Sequence, residues 1–235
     1  MEPSPTVAAV SDQEVCNESS TAAITFSGGP SFSWTNDKSS IGLPASGTGN
    51  IAAFTALNNS PFAVVATIVV TPTAGLCSGS TTSFTITVDP TPVVNPIADL
   101  GVCNGANTTA INFTGTGTTY TWTNNAAIGL AGSGTGDIAS FAAINNGNSP
   151  VVATIVVTPV FTGGTTCNGA TKSFTITVNP TPTVAAPGTQ EVCNGASTTD
   201  INFSGIATQY DWTNDSPSIG IPAIGTGNIF IVRCN

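Results

Sequence analysis

The sequence predicts an all-β chain of tandem β-sandwich units, the third of them incomplete, and three observations predict it. One phrase is spelled three times: CNGANTTAINFTGTGTTYTWTN at 103–124, CNGASTTDINFSGIATQYDWTN at 193–214, and the looser CNESSTAAITFSGGPSFSWTN at 16–36. Apolar and polar residues alternate with a period of two, the signature of a strand with one buried and one wet face. Clusters of Gly, Asn, Pro and Ser interrupt that alternation about every 8–12 residues, without a 3.6-residue period, which is the spacing of short strands in a sandwich. A repeat takes precedence over length in deciding domain number.

The elements follow in the same order in each copy. A Pro-x-Pro pair opens the unit: Pro3/Pro5, Pro90/Pro92 and Pro180/Pro182. Each proline fixes its own φ and pushes its predecessor toward extended backbone, so the pairs read as semi-rigid junctions. The units are therefore 1–89, 90–179 and 180–235. Next come a cysteine (Cys16, Cys103, Cys193) and, 18 or 19 residues later, a tryptophan (Trp34, Trp122, Trp212). Between them Ile111 and Phe113 alternate with Asn112 and Thr114, and Tyr120 and Trp122 with Thr121 and Thr123. The run VVATIVVTP breaks the alternation and reads as a central strand. Its hairpin partner is FTITV, where Phe174, Ile176 and Val178 alternate with Thr175, Thr177 and Asn179. Threonine on the wet face suits β-propensity.

Units one and two each hold a cysteine pair, Cys16 with Cys77 and Cys103 with Cys167, separated by 61 and 64 residues. Equal placement in two copies predicts a disulfide inside each unit, formed in an oxidising compartment. Closing a loop of that size contributes on the order of 4 kcal/mol in the chain-entropy model. A metal site is the rival, and two thiolates without histidine or a CxxC cannot complete a tetrahedral shell. The order Cys–Trp–Cys is that of immunoglobulin domains, with one departure. Cys77 and Cys167 sit among Gly, Thr and Ser in an expected loop, so the bridge should tie an end of the sandwich. Trp34, Trp122 and Trp212 are expected in the cores.

The whole unit, CNG…INFTG…YTWTN…IGL…SGTGDIASF…VVATIVVTP…KSFTITVNPTP, resembles the PKD-like, immunoglobulin-like repeats of very large surface adhesins of gliding, polymer-degrading bacteria of the Bacteroidetes group. The resemblance covers nearly all of the chain. It implies a tandem stalk, exported and displayed outside the cell, with neighbouring repeats as partners and no catalytic residues. Where units one and two continue GTGNIAAFTALNN and GTGDIASFAAINN, unit three reads GTGNIFIVRCN. The expectation is a truncated or frameshifted end, leaving Cys193 without its natural partner and Cys234 as an atypical cysteine that could replace that partner only if the third unit folds unusually. No signal peptide is visible at the start, so the export signal is expected elsewhere.

Chemistry is sparse. The absence of histidine removes the usual general base and metal ligand. Acids fall on neutral positions in sister copies: Asp137 on Asn50 and Asn228, Asp211 on Ser33 and Thr121, Asp200 on Ala110. They read as solvated decoration. No enzyme and no cofactor is expected. No Asp-x-Asp-x-Asp array is present, and calcium at junction acids such as Asp89 is the one cation considered. The glycines of SGTGD (133–137) lack a following helix and lysine, so they read as a turn and not as a phosphate loop. Net charge is −9 with three basic residues, Lys38, Lys172 and Arg233, which argues against nucleic acid and an anionic membrane surface. No apolar run approaches membrane-helix length. The reading is a non-catalytic stalk or spacer, with surface polysaccharide or other cells as further partners. The alternative is a carbohydrate-binding module of a secreted polysaccharide-degrading enzyme, which needs an exposed aromatic platform at Tyr120, Tyr210 or the tryptophans.

Overall fold

Residues 4–230 are described by a computed structural model, and their strands fall into three groups. In the first, β1 (Gln13–Cys16), β2 (Ser31–Asn36), β3 (Ser46–Thr48), β4 (Val64–Ala74), β5 (Cys77–Ser78) and β6 (Thr82–Asp89) form one sheet. Its order is β1-β6-β4-β2-β3, with β5 paired to β4. The second repeats it: β7 (Leu100–Cys103), β8 (Thr119–Asn124), β9 (Ser133–Thr135), β10 (Val151–Thr162), β11 (Thr166–Asn168) and β12 (Lys172–Asn179). The order there is β7-β12-β10-β8-β9, with β11 paired to β10. The third holds only β13 (Asp211–Thr213) and β14 (Ile224–Thr226) among the described residues.

The run VVATIVVTP is the central strand, and FTITV is its antiparallel neighbour, with Ala153 opposite Ile176 and Ile155 opposite Phe174. Its burial still alternates. Ala153, Ile155 and Val157 are fully buried, whereas Val152 is 54% exposed. The apparent break in alternation arises because valine also occupies the outer face, where β-propensity favours it. Cys167 lies in the short strand β11 rather than in a loop. The opening strand β7 runs parallel to β12, as β1 does to β6, so each unit begins and ends at the same edge.

The opposite layer is held by a few bonds. In unit one, Ile24 and Ile51 exchange backbone hydrogen bonds of 2.8 and 3.0 Å, and Thr6 and Ala8 donate to Gly28 and Ser27. Ile24, Phe26 and Ile51 then cover Ile68, Val70, Phe84 and Ile86 of the sheet. In unit two, Ile111 and Ile138 play the same part, with Ile111 in an isolated bridge and not in a full strand. The result is two β-sandwiches with separate cores.

In unit three, Ile201 and Ile229 repeat the exchange, and β13 and β14 are its only strands among the described residues. No described residue beyond 180 is buried. Ile201, Phe203, Trp212, Ile221 and Ile229 instead line an open cavity of about 580 Å³. Arg233 and Cys234 lie outside the described residues.

Trp34 and Trp122 are core residues, each 7% exposed. Trp212 is not: it is half-buried, because the strands that would cover it are absent from the described residues. All three rings lie on a glycine. A Cβ at Gly47, Gly134 or Gly225 would overlap the ring of Trp34, Trp122 or Trp212, respectively. The GTG phrase is thus a seat for tryptophan. The carbonyls of Gly136 and Gly227 accept the indole N–H of Trp122 and Trp212 at 3.1 and 3.0 Å. The Trp34 indole nitrogen is buried without a partner.

Candidate functional site

The site with unusual chemistry is the junction of the first two units. Parallel pairing brings the ends of β1 and β6 together, with Cys16 opposite Asp89. The hairpin between β10 and β11 of the second unit reaches across to that edge. There Cys16 and Cys167 form a disulfide, with Cα atoms 5.6 Å apart and a sequence separation of 151. Around it, the Thr165 hydroxyl donates to the Glu14 carbonyl at 3.1 Å, and the Gly164 N–H donates to the Glu14 carboxylate. A Cβ at Gly163 or Gly164 would collide with the Glu14 carboxylate, so the Gly-Gly tip permits the approach.

This corrects the expected pairing. Cys16 is bonded to Cys167 and not to Cys77, and Cys103 is not bonded to Cys167. Cys77, Cys103 and Cys193 are free and exposed. The reason is geometric. Cys16 lies beside Asp89 at the end of the sheet where β4 begins, and Cys77 pairs with Ala74, the last residue of β4. Eleven residues of strand separate them, on the order of 35 Å at 3.3 Å per residue. A disulfide needs Cα atoms roughly 4.4–6.8 Å apart. The bridge does tie an end of a sandwich, but it ties it to the neighbouring sandwich.

Asp89 is fully buried at this junction, and one carboxylate oxygen has no hydrogen-bond partner. Burial, then the charge of Glu14 and a hydrogen bond to Glu14, push its pKa up to about 6. Asp89 therefore takes up a proton as the pH falls toward 6. Calcium takes six to eight oxygen ligands. Glu14 already accepts the Gly164 N–H, and among the described residues no group of three or more His, Cys, Asp or Glu could hold a metal.

A pH prediction follows. The folded state holds the Asp89 proton more tightly than the unfolded chain does. Stability from this group is complete below its ordinary value near 3.8 and is lost as pH rises through about 6. The full loss is at most about 3 kcal/mol. Unit two carries Asn179 at the corresponding position, beside Cys103. Asp89→Asn should therefore flatten the stability profile between pH 4 and 7 and raise stability at neutral pH. Urea unfolding across that range checks it, and a variant profile parallel to wild type removes Asp89 as the cause.

Other acids are not decoration either. The Asp137 carboxylate accepts the Phe113 N–H at 2.8 Å, and Asn50 and Asn228 accept those of Phe26 and Phe203 at 2.9 and 3.0 Å. Asp and Asn alternate among copies because either supplies the acceptor oxygen. Asp12 and Asp99 accept the N–H groups of Thr85 and Thr175 at 2.6 Å. Tyr120 is buried against Phe113 at 5.7 Å, and burial pushes its phenol above the usual range. It offers no open face to a sugar. Tyr210 stacks on Phe203 at 5.8 Å. No helix among the described residues is long and apolar enough to cross a membrane.

No protein-family model and no curated protein matches the chain. Among solved structures it is similar to mouse cadherin-23 EC22-24, at 10% identity and a TM-score of 0.43, covering 100% of this chain and 90% of that one. It is also similar to human CDH23 EC21-23, at 14% identity and a TM-score of 0.41, covering 94% and 92%. Mouse protocadherin-24 EC1-3 follows at 11% identity and a TM-score of 0.42, covering 86% and 75%.

Proposed function

We propose that the chain is a non-catalytic, load-bearing spacer of an exported surface adhesin, with units 1–89, 90–179 and 180–235 strung end to end. The observation that carries this reading is the Cys16–Cys167 bridge, which joins successive sandwiches covalently at their touching ends. Semi-rigid Pro-Thr-Pro junctions support it. So does the repeated Asn–Thr clasp: the Asn17 amide donates to the Thr91 hydroxyl at 3.0 Å, and Asn104 to Thr181 at 2.9 Å. The Bacteroidetes adhesin attribution rests on the sequence phrases alone. Neighbouring repeats are the partners this reading names first, with surface polysaccharide or other cells as targets of the parent protein.

Pulling the chain by its ends tests the reading. Force enters near Cys16, crosses the disulfide and leaves at Cys167, so residues 17–166 are short-circuited by the bond. Under oxidising conditions residues 17–166 stay hidden from load. Adding a reductant should lengthen the fully extended chain by roughly 490–540 Å, at about 3.3–3.6 Å per residue. Equal extension with and without reductant would overturn the load-bearing role.

A further inference from the structure

We propose that Cys103 and Cys77 are two half-sites of a continuing ladder of inter-unit disulfides. Cys103 receives the hairpin cysteine of a following unit that carries both long strands. Cys77 receives the first-strand cysteine of a preceding unit. The occupant in both cases is another module of this same repeat.

The two open positions match the two bonded ones. Cys103 ends β7 opposite Asn179, as Cys16 ends β1 opposite Asp89. The next residue repeats the same backbone bond, Asn104 N–H to Asn179 carbonyl at 2.9 Å and Asn17 N–H to Asp89 carbonyl at 2.8 Å. The Asn–Thr clasp to the linker is also the same. The edge that unit two's hairpin occupies on unit one is thus rebuilt on unit two, with an exposed thiol in it. What is missing is the hairpin. The described residues of unit three hold no strand pair equivalent to β10 and β11.

Cys77 occupies the complementary position. It lies two residues before Gly79, as Cys167 lies two before Gly169, and those glycines donate to the carbonyls of Pro72 and Pro159. Neither glycine has room for a Cβ, against Pro5 and Pro92 respectively. At the tip beside Cys77, Leu76 stands wholly in solvent. The hairpins differ in length, since Cys77 follows Pro72 by five residues and Cys167 follows Pro159 by eight. A preceding unit therefore docks closer to its neighbour here.

Each bond forms by thiol–disulfide exchange with a small-molecule disulfide oxidant. One thiolate attacks the oxidant and releases a thiol, and the second thiolate attacks the mixed disulfide and releases another. Two protein thiols lose two protons and two electrons, and the oxidant becomes two thiols.

The cellular use of such a ladder rests on the spacer reading, but its connectivity is tested separately. The first measurement uses the chain as it stands, equilibrated in a glutathione redox buffer, alkylated without reduction and mapped by mass spectrometry. A Cys16–Cys167 peptide and stoichiometric alkylation of Cys77 and Cys103 are expected. A Cys16–Cys77 or Cys103–Cys167 peptide overturns the proposal. The second completes unit three by grafting a copy of residues 139–179 after Ile229, the position matching Ile138. Cys103 should then lose its alkylation and appear bonded to the grafted cysteine. Bonding of that cysteine to Cys193, within unit three, overturns the proposal. In a third, a copy of residues 93–179 placed ahead of Pro3 should protect Cys77 by a bond to the added copy of Cys103. Free alkylation of Cys77, with the added unit folded, overturns that half.

Discussion

Replacing Cys16 with Ser is expected to lower the unfolding free energy of the first two units by about 2–5 kcal/mol, and replacing Cys77 with Ser to leave it within about 0.5 kcal/mol. The chain-entropy model places a loop of this size near the upper end, because the bridge spans 151 residues and restrains both units in the unfolded chain at once. The contrast between the two variants is decisive. A bridge inside unit one would make Cys77→Ser as costly as Cys16→Ser. Denaturant unfolding of both variants under oxidising conditions separates the outcomes. Wild type measured in reductant should match Cys16→Ser. Once the bond is absent, the Thr165 and Gly164 contacts to Glu14, the Asn17–Thr91 clasp and the short linker remain at the junction. The two units should then unfold as separate transitions.

Trp122→Ala is expected to cost about 3–5 kcal/mol, the range for truncating a buried large aromatic residue. The ring is 7% exposed, sits on Gly134 and packs in a core with Ile155, Val157, Phe174 and Ile176. Its indole bond to the Gly136 carbonyl is lost as well. Trp212→Ala has the same sequence context but a half-buried ring, so it should cost well under half as much. Gly134→Ala provides the reverse check. It removes nothing, but its methyl would overlap the Trp122 ring, so it should also destabilise unit two. Thermal unfolding followed by tryptophan fluorescence resolves these effects. Equal costs at Trp122 and Trp212 would contradict the difference in burial.

The strands were legible because one face of each is buried and its period is simple. Phe174, Ile176 and Val178 point to the core as their spacing predicts. The placing of VVATIVV at the centre of the sheet also follows from its β-branched residues. The disulfide partners were not legible, for a reason inherent to tandem copies. A cysteine that pairs within its unit and one that pairs with the next unit repeat at the same interval. Only the distance along β4, which needs the fold, separates the two. The role of Gly134 was hidden because a glycine beneath a ring and a glycine in a turn look alike in sequence. Asp137 was misread because aligning it with Asn50 suggested that its charge had no use. That was correct for the charge but not for the oxygen. The carboxyl pair at the junction had no sequence signal, since Glu14 and Asp89 are 75 residues apart and meet only through parallel strand pairing.

The acceptor shared by Asp137, Asn50 and Asn228 has a consequence for how the protein ages. Asparagine slowly loses ammonia to water and becomes aspartate, and asparagine is among the thermolabile residues for that reason. At Asn50 and Asn228 the product keeps the oxygen that holds the Phe26 and Phe203 N–H groups, as Asp137 already does for Phe113. Hydrolysis at Asn50 therefore changes the charge of the chain and leaves that backbone bond in place, whereas at Asn228 it also removes the amide donor that now bonds Asn202 at 2.7 Å.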